Sequence, residues 1–170
     1  AGSFDKVMKT ISKVPDTFGS KVMCQCVVTK SNEDHLEELV KILLPSRFEG
    51  MTFSFYSPPR NDTSDLTWGT VKRRDKAVRE AMRLKKKYPN FIWNKQRGLE
   101  LTLSENAKTV TDNCPSMKFV MPLYLEENEF VHPFCCYGND VDCDLCGAWV
   151  VFNIAARIEQ QEPDSLFFRD

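Results

Sequence analysis

Long apolar runs are missing from this chain. No stretch approaches the roughly 18 to 20 residues that a spanning helix needs, and the first residues lack the charged-then-apolar order of a secretory signal. A cytoplasmic setting is the expectation. An excess of one charge is missing too: 23 Lys and Arg stand against 24 Asp and Glu, a net charge of -1 that leaves no electrostatic footprint for nucleic acid. Histidine is scarce, with only His35 and His132, and neither has catalytic company nearby in sequence. There is no Ser-His-Asp set and no Gly-rich phosphate loop, and carboxylates at helical spacing such as Glu33 and Glu37 read as ordinary surface pairs. Internal repeats and low-complexity tracts are absent as well. The opening Ala1-Gly2-Ser3-Phe4-Asp5 has no Met, so the chain reads as a piece of something longer.

What is present is enough for a full core. A length of 170 residues suits one domain, or a compact body with a small appendage. Phe4, Val7, Met8 and Ile11 recur at helical spacing from Ser3, with Pro15 closing the segment before a turn over Asp16 to Ser20. Lys21 to Thr29 is mostly apolar on both faces and predicts a buried parallel strand. A helix follows, with Ser31 as its cap, acids in its first turn, and Leu36, Leu39, Val40 and Leu43 as the buried stripe up to Pro45. Gly50 to Tyr56 is a second strand, stopped by Ser57-Pro58-Pro59. Strand, helix and strand make a βαβ unit, whose strands are expected parallel.

The polar loop Arg60 to Trp68 is then placed over the C-terminal strand ends, where α/β proteins hold ligands, and is a candidate lid. Thr70 to Tyr88 predicts a long amphipathic helix with Val71, Val78, Ala81, Met82 and Leu84 or Lys85 around its stripe. Its basic groups, Lys85-Lys86-Lys87 among them, read as a solvated face because no aromatic interleaving accompanies them. Gly98 to Val110 has the features of a further helix, although Leu99, Leu101 and Leu103 alternate like a strand. Past Cys114, Phe119 to Leu125 and Phe130 to Phe134 flank Glu126-Glu127-Asn128-Glu129 as a β-hairpin with a polar turn. A last helix, Ala148 to Gln160, turns Val151, Ile154, Ala155 and Ile158 to one side. The division is 1–110 for the α/β part and 111–170 for a cysteine-rich subdomain.

Seven cysteines cannot form a complete disulfide framework, and five of them crowd into the tail. Cys114, Cys136, Cys143 and Cys146 read as a four-thiolate metal site. Cys143-x2-Cys146 lets one tight turn aim two sulfurs at one centre, and Gly147 relieves crowding where the chain leaves it. Cys135 and Cys136 point to opposite faces of a strand end, so one of them ligates; Cys136 is preferred and Cys135 is its substitute. His132 is a less favoured fourth ligand. Four thiolates suit either structural zinc or a [4Fe-4S] cluster, and two isolated ligands with a single Cys-x2-Cys knuckle lean towards iron-sulfur. Cys24 and Cys26 share one face of the first strand and read as small core hydrophobes.

The order of the Gly2-Ser3-Phe4-Asp5-Lys6-Val7 helix, the strand ending Val27-Val28-Thr29, Asn32, the acidic helix, the strand Phe53-Ser54-Phe55-Tyr56-Ser57-Pro58 and the cysteine hairpin is similar to the second half of radical S-adenosylmethionine enzymes. The likeness covers nearly the whole chain. It implies a segment of a partial (βα) barrel with parallel strands, carrying the last two of six strands, followed by a SPASM or twitch-like subdomain of β-hairpin plus helix that holds an auxiliary [4Fe-4S] cluster. Val28, Thr29, Phe55 and Tyr56 would face the adenine of S-adenosylmethionine. The family's Cys-x3-Cys-x2-Cys loop is absent from these residues, so the resemblance implies either a fragment that is inactive alone, which the bare start favours, or a degenerate member kept for binding. Its expected partners are the missing N-terminal half, an electron donor and a small-molecule or peptide substrate. Against this stands a non-enzymatic α/β module with a structural zinc site, acting as an interaction domain.

Overall fold

The computed structural model describes residues 2–14, 22–135 and 137–161; the turn expected over Asp16 to Ser20, and Cys136, lie outside them. Helix α1 (Ser3–Ile11) buries Ile11, leaving Phe4 and Val7 exposed. Strand β1 (Met23–Val28) runs parallel to β2 (Gly50–Phe55), with Cys26 opposite Phe53 and Val28 opposite Phe55. Between them lies α2 (Leu36–Leu43), entered through a 3-10 turn at Glu33–His35. The fold is thus a mixed α/β one, with a short parallel sheet and, later, a small antiparallel hairpin. The described strands close no barrel.

Asn32, rather than Ser31, organises the entry to α2. Its amide accepts from the Thr29 N–H at 2.8 Å and donates to the Val27 carbonyl at 3.0 Å, locking the strand-to-helix turn. Leu36, Val40 and Leu43 then face Ala77, Val78, Ala81 and Leu84 of α3 (Val71–Lys87) in the main core. Each of the Leu and Val side chains among them contributes about 1.5–3 kcal/mol when fully buried. The exposed ion pairs of Glu37 with Lys87 and Arg83 are worth far less and only trim this seam. Thr70 caps α3 by accepting from the Arg73 N–H at 3.3 Å. At its far end Lys85 donates to the Pro89 and Ile92 carbonyls, at 3.0 and 2.6 Å, so this lysine is not part of the solvated basic face. Val71 is exposed, and Arg74 is fully buried against expectation.

The strand β1 departs from its two-faced apolar pattern. Cys26 and Val28 are buried in the core and Cys24 packs partly against it, while Gln25 and Val27 are exposed. The cause is position: among the described residues β1 pairs only with β2, whereas β2 is also met along its second edge and packed by α3 and by the closing helix Trp149–Glu159. All six residues of β2 are buried. Its second edge is satisfied in three steps. Met51 exchanges backbone hydrogen bonds with Phe91 and Trp93, both 2.8 Å. The Asn94 amide then imitates a strand residue, accepting from Phe53 N–H at 2.7 Å and donating to Phe53 C=O at 2.9 Å. Beyond it, Phe55 N–H donates to Gly147 C=O at 2.8 Å.

Gly98 to Val110 resolves into two helices, α4 (Gln96–Thr102) and α5 (Ser104–Thr111), so the Leu99, Leu101 and Leu103 alternation does not make a strand. The break falls at Leu103, which is extended (φ -60°, ψ 142°), and Asp75 holds it by accepting from Ser104 N–H and Oγ–H at 3.0 and 2.6 Å. A short α6 (Ser116–Phe119) precedes the hairpin of β3 (Tyr124–Glu126) and β4 (Glu129–Val131), antiparallel as expected. Glu127 and Asn128 both take positive φ, 49° and 69°, the twist that a two-residue hairpin turn requires. The closing helix α7 (Trp149–Glu159) packs on α4 and on β2, burying Val151, Phe152, Ile154 and Ala156. Ile158, placed on its buried face by the pattern, lies in the last turn of α7 and is 52% exposed.

Candidate metal centre

Three chain segments bring cysteines together. Cys114 follows α5 and starts the turn into α6, where its carbonyl accepts from Met117 N–H at 3.2 Å. Cys135 follows β4, in a turn closed by Gly138 N–H on the Cys135 carbonyl at 2.9 Å and by the Asn139 side chain on Phe134 N–H at 2.7 Å. The third segment is the knuckle. Cys143–Leu145 form one 3-10 turn, Asp142 caps it by accepting from Asp144 N–H at 3.0 Å, and Cys146 N–H closes on the Cys143 carbonyl at 3.3 Å.

These segments surround one cavity of about 30 Å³ whose wall holds Cys114, Cys135, Cys143 and Cys146 among apolar neighbours such as Met117, Phe134, Val141 and Val151. That volume admits about two water-sized spheres. The sulfurs surround it without closing into a coordination sphere: among the described residues no three His, Cys, Asp or Glu side chains stand where they could hold one metal ion. All six described cysteines are free thiols. Cys136 is outside the described residues, and its substitute Cys135 lies in the cavity wall. His132 is exposed and takes no part in that wall.

Burial governs the thiols of the knuckle. Burial pushes the Cys146 thiol up to about 11, with Cys114 and Cys135 adding to the rise, while the Ala148 N–H and the Ser57 hydroxyl pull against it. Burial likewise raises Cys143, followed by the influence of Cys135 and Cys114. Cys143 and Cys146 therefore each sense Cys114 and Cys135. Cys143 and Cys146 are held as neutral thiols near pH 7, and a metal must expel their protons to bind. Four thiols in a largely apolar wall are donors of the soft type that thiolate-bound metals take, although among the described residues their side chains do not converge on one point.

The knuckle is stitched to the end of β2. Arg60 N–H donates to Asp140 C=O at 2.8 Å and Asp142 N–H to Pro58 C=O at 2.9 Å, an antiparallel bridge of Pro59 with Val141. Gly147 N–H donates to Ser57 Oγ at 2.8 Å, and Ser54 Oγ–H reaches the Gly147 carbonyl at 3.3 Å. A methyl at Gly147 would stand 2.2 Å from the Phe55 carbonyl oxygen, so the close approach needs glycine. The crowding foreseen at Gly147 is thus with β2 rather than with the thiols.

Val28, Thr29, Phe55 and Tyr56 sit side by side at the same end of the sheet. Val28 and Phe55 turn their side chains into the core, leaving the main chain at this edge. The Thr29 hydroxyl accepts from Ser31 N–H at 3.2 Å, and the Tyr56 hydroxyl donates to Asp62 at 2.9 Å. Asp62 also accepts from Ser64 N–H at 2.8 Å, and Trp68 is buried with its ring centroid 6.4 Å from that of Phe55. The loop over Arg60 to Trp68 is anchored here.

Ser57 and Arg74 carry no sequence signal as site residues; only the docking of the knuckle shows them. A larger cavity, about 420 Å³, lies beside Met23 and Trp93 and holds no cysteine. Ligands of α/β sheets bind beyond the carboxyl ends of strands, the end at which the thiols gather. No family model, curated protein or solved structure matches this chain.

Proposed function

We propose that the chain is the C-terminal part of a radical S-adenosylmethionine enzyme, a segment of a partial (βα) barrel whose tail holds an auxiliary [4Fe-4S] cluster beside the substrate pocket. The observation that carries this reading is the meeting of Cys114, Cys135, Cys143 and Cys146 around one dry cavity docked at the carboxyl end of β2. Cys143, Cys146, Cys114 and one of Cys135 and Cys136 are the ligands. When bound, the cluster supplies a one-electron relay, or an iron for substrate if a ligand position is left open. The chain's own residues do the rest. Apolar side chains around the thiols exclude water, Ser57 fixes the knuckle through Gly147 N–H, and the Val28, Thr29, Phe55 and Tyr56 edge offers the adenine wall. Cleavage of S-adenosylmethionine belongs to a Cys-x3-Cys-x2-Cys loop, which these 170 residues do not contain. The activity is therefore proposed for a longer parent protein with a cytoplasmic electron donor.

One observation favours a second reading. A cavity of about 30 Å³ is nearer in size to a single ion than to a four-iron cluster. Structural zinc in a non-enzymatic interaction module answers to that size. The test is Cys143→Ser against Cys24→Ala after anaerobic loading with iron and sulfide or with zinc. Cys143→Ser is expected to abolish metal binding and Cys24→Ala to leave it intact; full metal in the first variant defeats the ligand set. Visible absorbance with bound iron supports the cluster, and a colourless zinc protein supports the module.

A further inference from the structure

Arg74 lies on α3 with none of its surface exposed, the largest side chain so enclosed among the described residues. An arginine cannot shed its charge, and an isolated buried cation costs several kcal/mol unless an anion or a full set of acceptors answers it. Its Nη1 donates to the Cys146 carbonyl at 3.3 Å, Nη2 donates to the Thr102 carbonyl, and Nε has no hydrogen-bond partner. Both acceptors are neutral. The adjacent Asp75 is occupied elsewhere, accepting from Ser104 N–H and Oγ–H, and no carboxylate among the described residues forms an ion pair with Arg74. A permanent positive charge is thus buried against the backbone of one proposed ligand, with no carboxylate among the described residues in hydrogen-bond contact and the field of the adjacent Asp75 opposing it.

We infer that Arg74 is a positioning residue for the thiolate site, holding the Cys146 carbonyl and supplying the fixed buried charge that compensates a negatively charged metal-thiolate group. This rests on the proposed metal-binding reading. Four thiolates around one zinc, or around a cluster, leave net negative charge in dry surroundings, and the two buried partners then offset each other's desolvation. For a cluster the consequence is redox. Reduction adds one electron from an external donor and makes the group more negative, so a fixed cation nearby favours the reduced form. One charge at roughly 10 Å and an effective dielectric near 20 alters that equilibrium by about tenfold or somewhat more.

The experiment compares wild type, Arg74→Lys and Arg74→Gln, each loaded anaerobically with iron and sulfide, by metal analysis and dithionite-poised redox titration. Both variants lose the guanidinium fork, and only one loses the charge. Arg74→Lys is expected to stay within about twofold of wild type, and Arg74→Gln to disfavour reduction about tenfold, a fall of about 59 mV for one electron. Equal potentials in the two variants overturn the inference and leave Arg74 a structural staple. Should Arg74→Gln not fold, Arg74→Met provides the second arm: its reduction is expected to be disfavoured about tenfold relative to Arg74→Lys, and an equal potential overturns the inference. A wild type that takes up zinc and no iron defeats the cluster reading alone. The charge argument is then read from chelator competition, with Arg74→Gln losing zinc affinity about tenfold relative to Arg74→Lys, and equal affinities overturning it.

Discussion

Replacing Gly147 with Ala tests how the cysteine segment is held to the sheet. The added methyl would stand 2.2 Å from the Phe55 carbonyl oxygen, 2.5 Å from its carbon and 2.6 Å from its Cβ, against the 3.4 Å at which ordinary contact begins. Two of these atoms are backbone of the fully buried β2, so no rotamer change relieves the overlap. The knuckle has to lift. Overpacking of this kind costs about 1–3 kcal/mol. Lifting also breaks the 2.8 Å bonds from Phe55 N–H to Gly147 and from Gly147 N–H to Ser57, each contributing about 0.5–1.5 kcal/mol. The sum, roughly 2–6 kcal/mol, is a large share of the 5–15 kcal/mol by which a typical domain is stable. Urea unfolding followed by circular dichroism reads the loss, and metal analysis after desalting reads its consequence for the site. Gly98→Ala is the control, because its methyl meets Phe152 and Asn153 backbone only at 3.4–3.5 Å within α4; a change within about 1 kcal/mol is expected there. A Gly147→Ala protein with wild-type midpoint and metal content would refute the docking argument.

Asn94→Ala removes both bonds to Phe53 and leaves a buried N–H and C=O unpaired, so unfolding free energy should fall by about 2–4 kcal/mol, read by urea titration. Cys26 gives an alkaline signature: burial, then Cys24, pushes its thiol from 9.0 up to about 11, so the folded state retains a proton that the unfolded chain loses. That contribution is intact below pH 9 and disappears as pH rises through 11, about 2–3 kcal/mol that a Cys26→Ala protein should not lose over the same interval. Glu37 acts at the acid end. Hydrogen bonds from Lys87 and then Arg83 hold its carboxyl down to about 2, so its support of the α2–α3 contact is present above pH 4.5 and lost towards pH 2. Glu37→Gln should flatten the acid limb of a pH-stability profile recorded at low ionic strength.

Local pattern reached the elements more surely than their surroundings. The βαβ order, the hairpin and the closing helix follow from periodicity and from Pro and Gly punctuation, because those signals act within a few residues. The exposure of Gln25 and Val27 does not, since it depends on which helix covers which strand. Arg74 looks like any other basic residue on a charged helix until Thr102 and Cys146 bring their carbonyls to it from remote parts of the chain. The knuckle was legible because its sulfurs are three residues apart, and Cys114 because clustered thiols announce themselves by count. Choosing between Cys135 and Cys136 depended on a strand alternation that ends at Val131, before either residue.

The most direct measurement is metal and sulfide analysis, with visible and Mössbauer spectra, of the protein purified anaerobically without added metal. The account predicts a brown protein with about four irons and four sulfides bound through the tail cysteines. A colourless protein carrying about one zinc per chain would contradict it.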